Sequence, residues 1–173
     1  RIDTAYLISP YQLVVHVDQE LKPPFSFLID GRPAGGQREL APGNHELVFD
    51  SPLDSEELLL ILTLSAESAI SYRIGNNQLR LHDVRLVNEK SMRLVFTDFL
   101  DPSAALLPDR YRINGRSVDE VEIGEGGYEA WLTWQEPLVI GLEWNLELGP
   151  LKSLSGKGLG QHSRSGVYSD GVV

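Results

Sequence analysis

The stretch AYLISPYQLVVHVDQELKP, Ala5 to Pro23, lies without a gap over VRLVNEKSMRLVFTDFLDP, Val84 to Pro102. A constant offset of 79 sets Leu7 on Leu86, Leu21 on Leu100 and Pro23 on Pro102. Both copies alternate with the two-residue period of a half-buried strand. Leu13, Val15 and Val17 share one face in the first, and Met92, Leu94 and Phe96 share one face in the second.

The repeat continues downstream. After five extra residues FLIDGR (Phe27 to Arg32) falls on YRINGR (Tyr111 to Arg116), at an offset of 84. HELVFDSPL (His45 to Leu53) then meets YEAWLTWQEPL (Tyr128 to Leu138), with two further residues moving the offset from 83 to 85. Any one of these segments could align by chance, because alternating strands look alike; three in the same order with small insertions indicate a duplication. Turn pairs punctuate both copies, among them Asp30-Gly31, Gly35-Gly36, Asn76-Asn77, Asn114-Gly115 and Gly126-Gly127, each suited to chain reversal. Short strands so spaced predict an all-β chain of two tandem β-sandwiches. Asp54 to Leu62 is the best helical candidate, but it runs into Thr63-Leu64 as one apolar stretch and is read as a strand.

The expected modules are residues 1–76 and 80–155, joined by the short polar link Gly75-Asn76-Asn77-Gln78, short enough for a semi-rigid pair. Residues 156–173, rich in Gly and Ser, are expected to be a linker or an extension that docks on a neighbour. Modules of this size bury little more than 60% of their surface and keep a modest core, with little interior left for an enclosed active site. Beginning Arg1-Ile2-Asp3, the chain reads as a piece of something longer.

Composition narrows the function. The 173 residues hold 25 acids and 15 bases, a formal charge of −10. Cutting after Arg80 leaves 6 bases and 11 acids before it and 9 and 14 after it, so neither half is basic, and a duplex or an anionic bilayer would repel both. The longest apolar run, Leu58 to Leu62, is five residues, against roughly 20 for a membrane helix. Cysteine is absent, which removes disulfides, thiolate zinc sites and cysteine nucleophiles and is compatible with export.

Catalytic signatures are missing. His16, His45, His82 and His162 stand alone, with no HExxH or His-x-His, and there is no GxSxG elbow. Gly156-Lys157-Gly158-Leu159-Gly160 lacks the spacing of a phosphate loop and reads as a flexible tail. The carboxylates Asp50, Asp54, Glu56 and Glu57, and again Asp98 and Asp101, lack the DxDxDG spacing of a calcium loop, though a structural calcium ion stays open. No cofactor is implied.

Aromatic placement carries the one binding signal. Tyr128, Ala130, Leu132 and Trp134 share one strand face, with Leu47 and Phe49 matching Ala130 and Leu132, so that face is expected inward. Glu129, Trp131 and Thr133 then point outward as candidate ligand-binding residues. An exposed indole can stack on a sugar ring or fill a hollow on a protein partner; the alternative is that Trp131 is covered between modules or by a loop. Trp144, alternating with Leu146 and Leu148, is assigned to the core.

The second copy resembles the bacterial Ig-like modules of surface-layer proteins and secreted multidomain enzymes, through MRLVFTDFLDP, YRING, AWLTWQEPL and GLEWNLELGPLKSLSGKG. In that type an early strand ends in an acidic turn, a Tyr opens a middle strand and a Pro-Leu…Gly…Trp/Tyr-x-Leu segment makes the last hairpin. Phe96, Leu100, Asp101, Tyr111, Pro137, Leu138, Gly141, Trp144 and Leu146 fill those roles. The first copy keeps Leu21 and Pro23 but has Lys22 where the acid belongs, and Leu59 near the aromatic position. The resemblance implies two Ig-like or fibronectin-III-like sandwiches, extracellular or on a bacterial cell surface, serving as a non-catalytic spacer whose partners are neighbouring domains. A weaker resemblance links SPYQLVVHV, FSFLIDGRPA and LVFDSPLDSEELLLILTL to the Ig-like module preceding the catalytic region of pullulanase-type debranching enzymes. It implies an accessory, polysaccharide-binding role. A protein-adhesion module pairing through a sheet edge is the third alternative.

Overall fold

A computed structural model describes residues 1–160 and 162–169. They form two compact all-β units, Arg1–Asn77 and Gln78–Val173. The first holds β1 (Ile2–Ser9), β2 (Gln12–Val17), β3 (Ser26–Ile29), β4 (Arg32–Pro33), β5 (Gly36–Ala41), β6 (Asn44–Val48), β7 (Glu57–Ser65) and β8 (Ser68–Gly75). Its two antiparallel sheets are ordered β1-β2-β6-β5 and β4-β3-β7-β8. The second holds β9 (Leu81–Asn88), β10 (Ser91–Phe96), a helical turn α1 (Pro102–Ala105), β11 (Tyr111–Ile113), β12 (Arg116–Ser117), β13 (Glu120–Ile123), β14 (Glu129–Thr133), β15 (Glu143–Leu148), β16 (Leu151–Lys152), β17 (Gly158–Leu159) and β18 (His162–Val167). Its main sheets run β13-β14-β10-β9 and β12-β11-β15-β18, and β16 pairs with β17.

These orders are the same order written twice, and matching hydrogen bonds prove the correspondence. Phe49 donates to the Tyr11 carbonyl and Trp134 to that of Lys90; Leu53 donates to Pro10 and Leu138 to Glu89. The two-residue hairpin loops Asp30-Gly31 and Asn114-Gly115 have positive φ at both positions (48° and 79°, 52° and 81°), the turn whose twist matches that of paired strands. Each turn then ties itself to the neighbouring strand in the same way. Asp30 Oδ1 accepts from the Leu59 N–H and Asn114 Oδ1 from that of Asn145, both at 2.9 Å.

This correspondence corrects three details of the expected alignment. Val15 pairs with His45 where Leu94 pairs with Ala130, so Leu47 matches Leu132 and Phe49 matches Trp134. The offset is 85 throughout, with no insertion inside the strand. The expected frame was out by two residues, which leaves the inward and outward faces unchanged. By the same logic Leu58, not Leu59, is the counterpart of Trp144, because Leu58 pairs with Ile74 as Trp144 pairs with Gly166.

The third correction concerns the tail from residue 156, which through its described residues is neither linker nor docking extension. β18 pairs along its whole length with β15 and is the counterpart of β8. Where the first unit makes a tight β7–β8 hairpin, the second inserts β16 and β17 before the closing strand. Gln161 and residues 170–173 lie outside the described residues.

Each unit encloses its own core. Leu13, Val15, Ile29, Leu47 and Leu60 are buried in the first, and Met92, Leu94, Phe96, Tyr111, Leu132 and Leu146 in the second. One local difference follows directly from sequence. Asp101 accepts from the Ser103 N–H at 3.0 Å and Pro102 starts α1, a capped helical start that Lys22-Pro23 lacks. The Ala105 carbonyl at the end of that turn accepts the hydroxyl of the buried Tyr111 at 2.8 Å; burial also raises the pKa of that hydroxyl. Phe27 holds the same place in the first unit and needs no partner.

Candidate functional site

Strand β14 lies inside its sheet, between β13 and β10. Ala130, Leu132 and Trp134 are buried, whereas Trp131 is 38% exposed and Thr133 is exposed. The register makes Arg93 of β10 the neighbour of Trp131 on one side and Glu122 of β13 its neighbour on the other; Arg85 of β9 lies beyond Arg93. The outward row is thus Arg85, Arg93, Trp131, Glu122.

Trp131 is clamped. The Arg93 guanidinium carbon lies 5.7 Å from the indole centroid, within cation–π range. The same guanidinium makes two bonds to the Glu129 carboxylate, at 2.9 and 3.0 Å, the bidentate pairing that fixes an arginine most firmly. That hydrogen bonding raises the Arg93 pKa, against a smaller effect of burial. Across the strand pair, a β-carbon at Gly124 would lie 3.3 Å from both Trp131 Nε1 and Glu129 Cβ, so a residue with no side chain leaves room for the indole. Of the three outward residues singled out from sequence, Trp131 is a fixed aromatic surface, Glu129 is engaged in holding Arg93, and Thr133 is open to solvent. Arg93 and Gly124 escaped the sequence reading because their contacts cross between strands.

Several other titratable residues are engaged in structural contacts. Asp98 and Lys157 pair at 3.2 Å with side chains only 11% and 6% exposed. Asp98 also accepts from the Phe99 N–H, and Ser153 and Ser155 complete the polar cluster. The Gly156–Gly160 run is therefore neither a phosphate loop nor a free tail: it carries a buried lysine and β17. Asp101 is the helix cap, and Glu57 pairs with Arg73. Buried His45 sits against Phe25 and Phe27 with ring centroids 5.5 and 5.3 Å away. Neither of its ring nitrogens has a hydrogen-bond partner, and burial lowers its pKa. His16 bonds to Asn44 and Tyr6. Among the described residues no group of three or more His, Asp or Glu is placed to hold a metal ion, and no helix is long and apolar enough to cross a membrane.

No family model matches the chain, and no curated protein does. Solved structures do. The N-terminal part of the bacterial S-layer protein SbsC matches with a TM-score of 0.50 at 24% identity, over 55% of this chain and 24% of that one. The S-layer protein rSbsC(31-844) matches at 0.50 and 24%, over 55% of this chain and 14% of its own. The chain thus matches about a quarter or less of these proteins' length. The pullulanase likeness finds no support in these matches. At this identity the shared property is the fold: the chain carries β-sandwich architecture similar to that of a bacterial S-layer protein.

Proposed function

We propose that this chain is a non-catalytic tandem sandwich, a spacer that positions neighbouring domains in a bacterial cell-surface protein. One observation carries the reading: the two units repeat their sheet orders and strand-to-strand hydrogen bonds while their outward residues differ. On the sheet face turned away from the core row, Tyr6, Val14, Glu46 and Arg38, with Val14 and Glu46 buried, stand in the first unit where Arg85, Arg93, Trp131 and Glu122 stand in the second. What the duplication keeps is a framework, and a framework is what a spacer supplies. The fold likeness to S-layer protein domains supports the surface location. Two measurements test it. Protease treatment of intact cells should release the chain's epitopes, and the purified chain should turn over neither glycan nor ester substrates. Turnover abolished by one substitution would overturn the reading.

A second reading rests on the clamped indole. Held by Arg93 and bordered by Glu122 and Thr133, Trp131 offers a flat apolar surface inside a polar rim, the pairing that suits a pyranose ring. Affinity electrophoresis through starch, pullulan and cell-wall glycans tests this, with Trp131→Ala as control. No retardation in any gel rejects it.

A further inference from the structure

The second unit ends in an apolar tip. Val139, Ile140 and Leu142 are 59%, 56% and 59% exposed, and Val167 at the end of β18 is equally so. The tip is built rather than loose. Leu138 donates to the Glu89 carbonyl at 2.9 Å, Leu142 to Val139 at 3.1 Å, and Gly141, with φ of 85°, to Tyr168 at 2.6 Å.

The first unit supplies an internal control. Its Leu53 and Glu56 occupy the anchoring places of Leu138 and Leu142: the Glu56 carbonyl receives the Asn76 N–H as that of Leu142 receives the Tyr168 N–H. Between and at these anchors it carries Asp54, Ser55 and Glu56, all exposed. The fold therefore tolerates charge here, and the aliphatic side chains of the second unit are not required to build it. Exposed apolar groups grouped on a fixed backbone mark an interaction surface.

We propose that this tip is the docking surface for a following module of the same polypeptide, an inference that rests on the spacer reading above. Two observations select that occupant. Tyr168, next to the last described residue of the closing segment, is bonded to Gly141 and Leu142, so the C-terminal end of the described chain lies beside the tip. And a handful of side chains falls short of the roughly 800 Å² per partner of a stable free complex, whereas a tethered neighbour, at a local concentration around millimolar, docks through less.

The test begins with the coding sequence, which must continue into a folded module; a reading frame that stops soon after Val173 overturns the proposal. Amide hydrogen exchange of the 137–142 segment is then compared in the chain ending at 173 and in the chain with its following module. About ten-fold slower exchange is expected in the longer chain, and Val139→Asp with Leu142→Glu should abolish the slowing. The first unit bears acids at those places, so the variant should fold, and its tryptophan emission checks that it does. Equal exchange in both chains overturns the proposal, as does protection that varies with protein concentration, which would make a second copy the occupant. Neither result touches the spacer reading, which stands or falls on surface location and catalytic inertness.

Discussion

A β-carbon at Gly166 would stand 2.7 Å from Cζ2 of Trp144. The paired positions of the first unit hold Ile74 and Leu58. Two medium side chains in one copy are thus replaced by one large ring and none in the other, so that this part of each core is filled by a different division of volume.

Gly166→Ala should therefore destabilise the second unit by about 1–3 kcal/mol, the usual cost of overpacking. All three tryptophans lie in that unit, so urea unfolding followed by tryptophan emission reads it directly. Trp144→Leu combined with Gly166→Ile, which installs the first unit's pair, should recover stability relative to Trp144→Leu alone. If the double variant is no better, the two positions do not share one space.

Asp98→Ala should cost about 3–5 kcal/mol, because it leaves the Lys157 charge buried beside a lost counter-ion. Replacing both partners, as Asp98→Leu with Lys157→Met, should cost far less than the two single changes added together. Additive effects in this double-mutant cycle would mean that the pair is not coupled.

Acid should weaken the first unit through His45. Its folded pKa lies below the ordinary 6.5 because burial disfavours the cation, against a smaller opposing pull from Glu39. The unfolded chain therefore takes up the proton first. Stability is full above 6.5 and falls as pH drops from there toward the folded value. Circular dichroism melts between about pH 7.5 and 5.5 should show this fall, reduced in His45→Leu. His82 and His162 are also lowered by burial, so the emission-monitored melt of the second unit should share the direction and be indifferent to His45→Leu.

Arg93→Met should free the indole without unfolding the unit. The Arg93–Glu129 pair is partly solvated, at 30% and 19% side-chain exposure, and such pairs contribute about 1 kcal/mol or less. Acrylamide quenching of emission should rise in Arg93→Met and stay unchanged when the same substitution is made in a Trp131→Phe background. Unchanged quenching in the first case would show that Arg93 does not cover the ring.

The architecture was largely legible because its signals are local. Alternation in Met92–Phe96, the Asp-Gly and Asn-Gly turns and the recurring landmarks each lie within a few residues, and a frame error of two preserves strand faces. Trp131 could be placed outward on that ground alone. Long-range pairings left no such trace. Arg93 and Glu129 are brought together by sheet register, and Asp98 meets Lys157 only because an inserted hairpin folds back onto the end of β10. Strand β18 was missed for a related reason. Its sequence HSRSGV is small and polar, with a glycine where the tryptophan opposite needs room, so that it looks like linker until β15 is seen beside it.

The drift in spacing between the copies has a practical side. It is 79 along β1 and β2, 84 at β3, 85 at β6, 86 at β7 and 92 at β8, growing only in connections and never inside a strand. The chain has thus already carried out its own insertion experiment, with the largest additions in the links after β2 and after β7. Those two links in the first unit are where foreign peptides could be grafted for display, with no paired strand asked to shift.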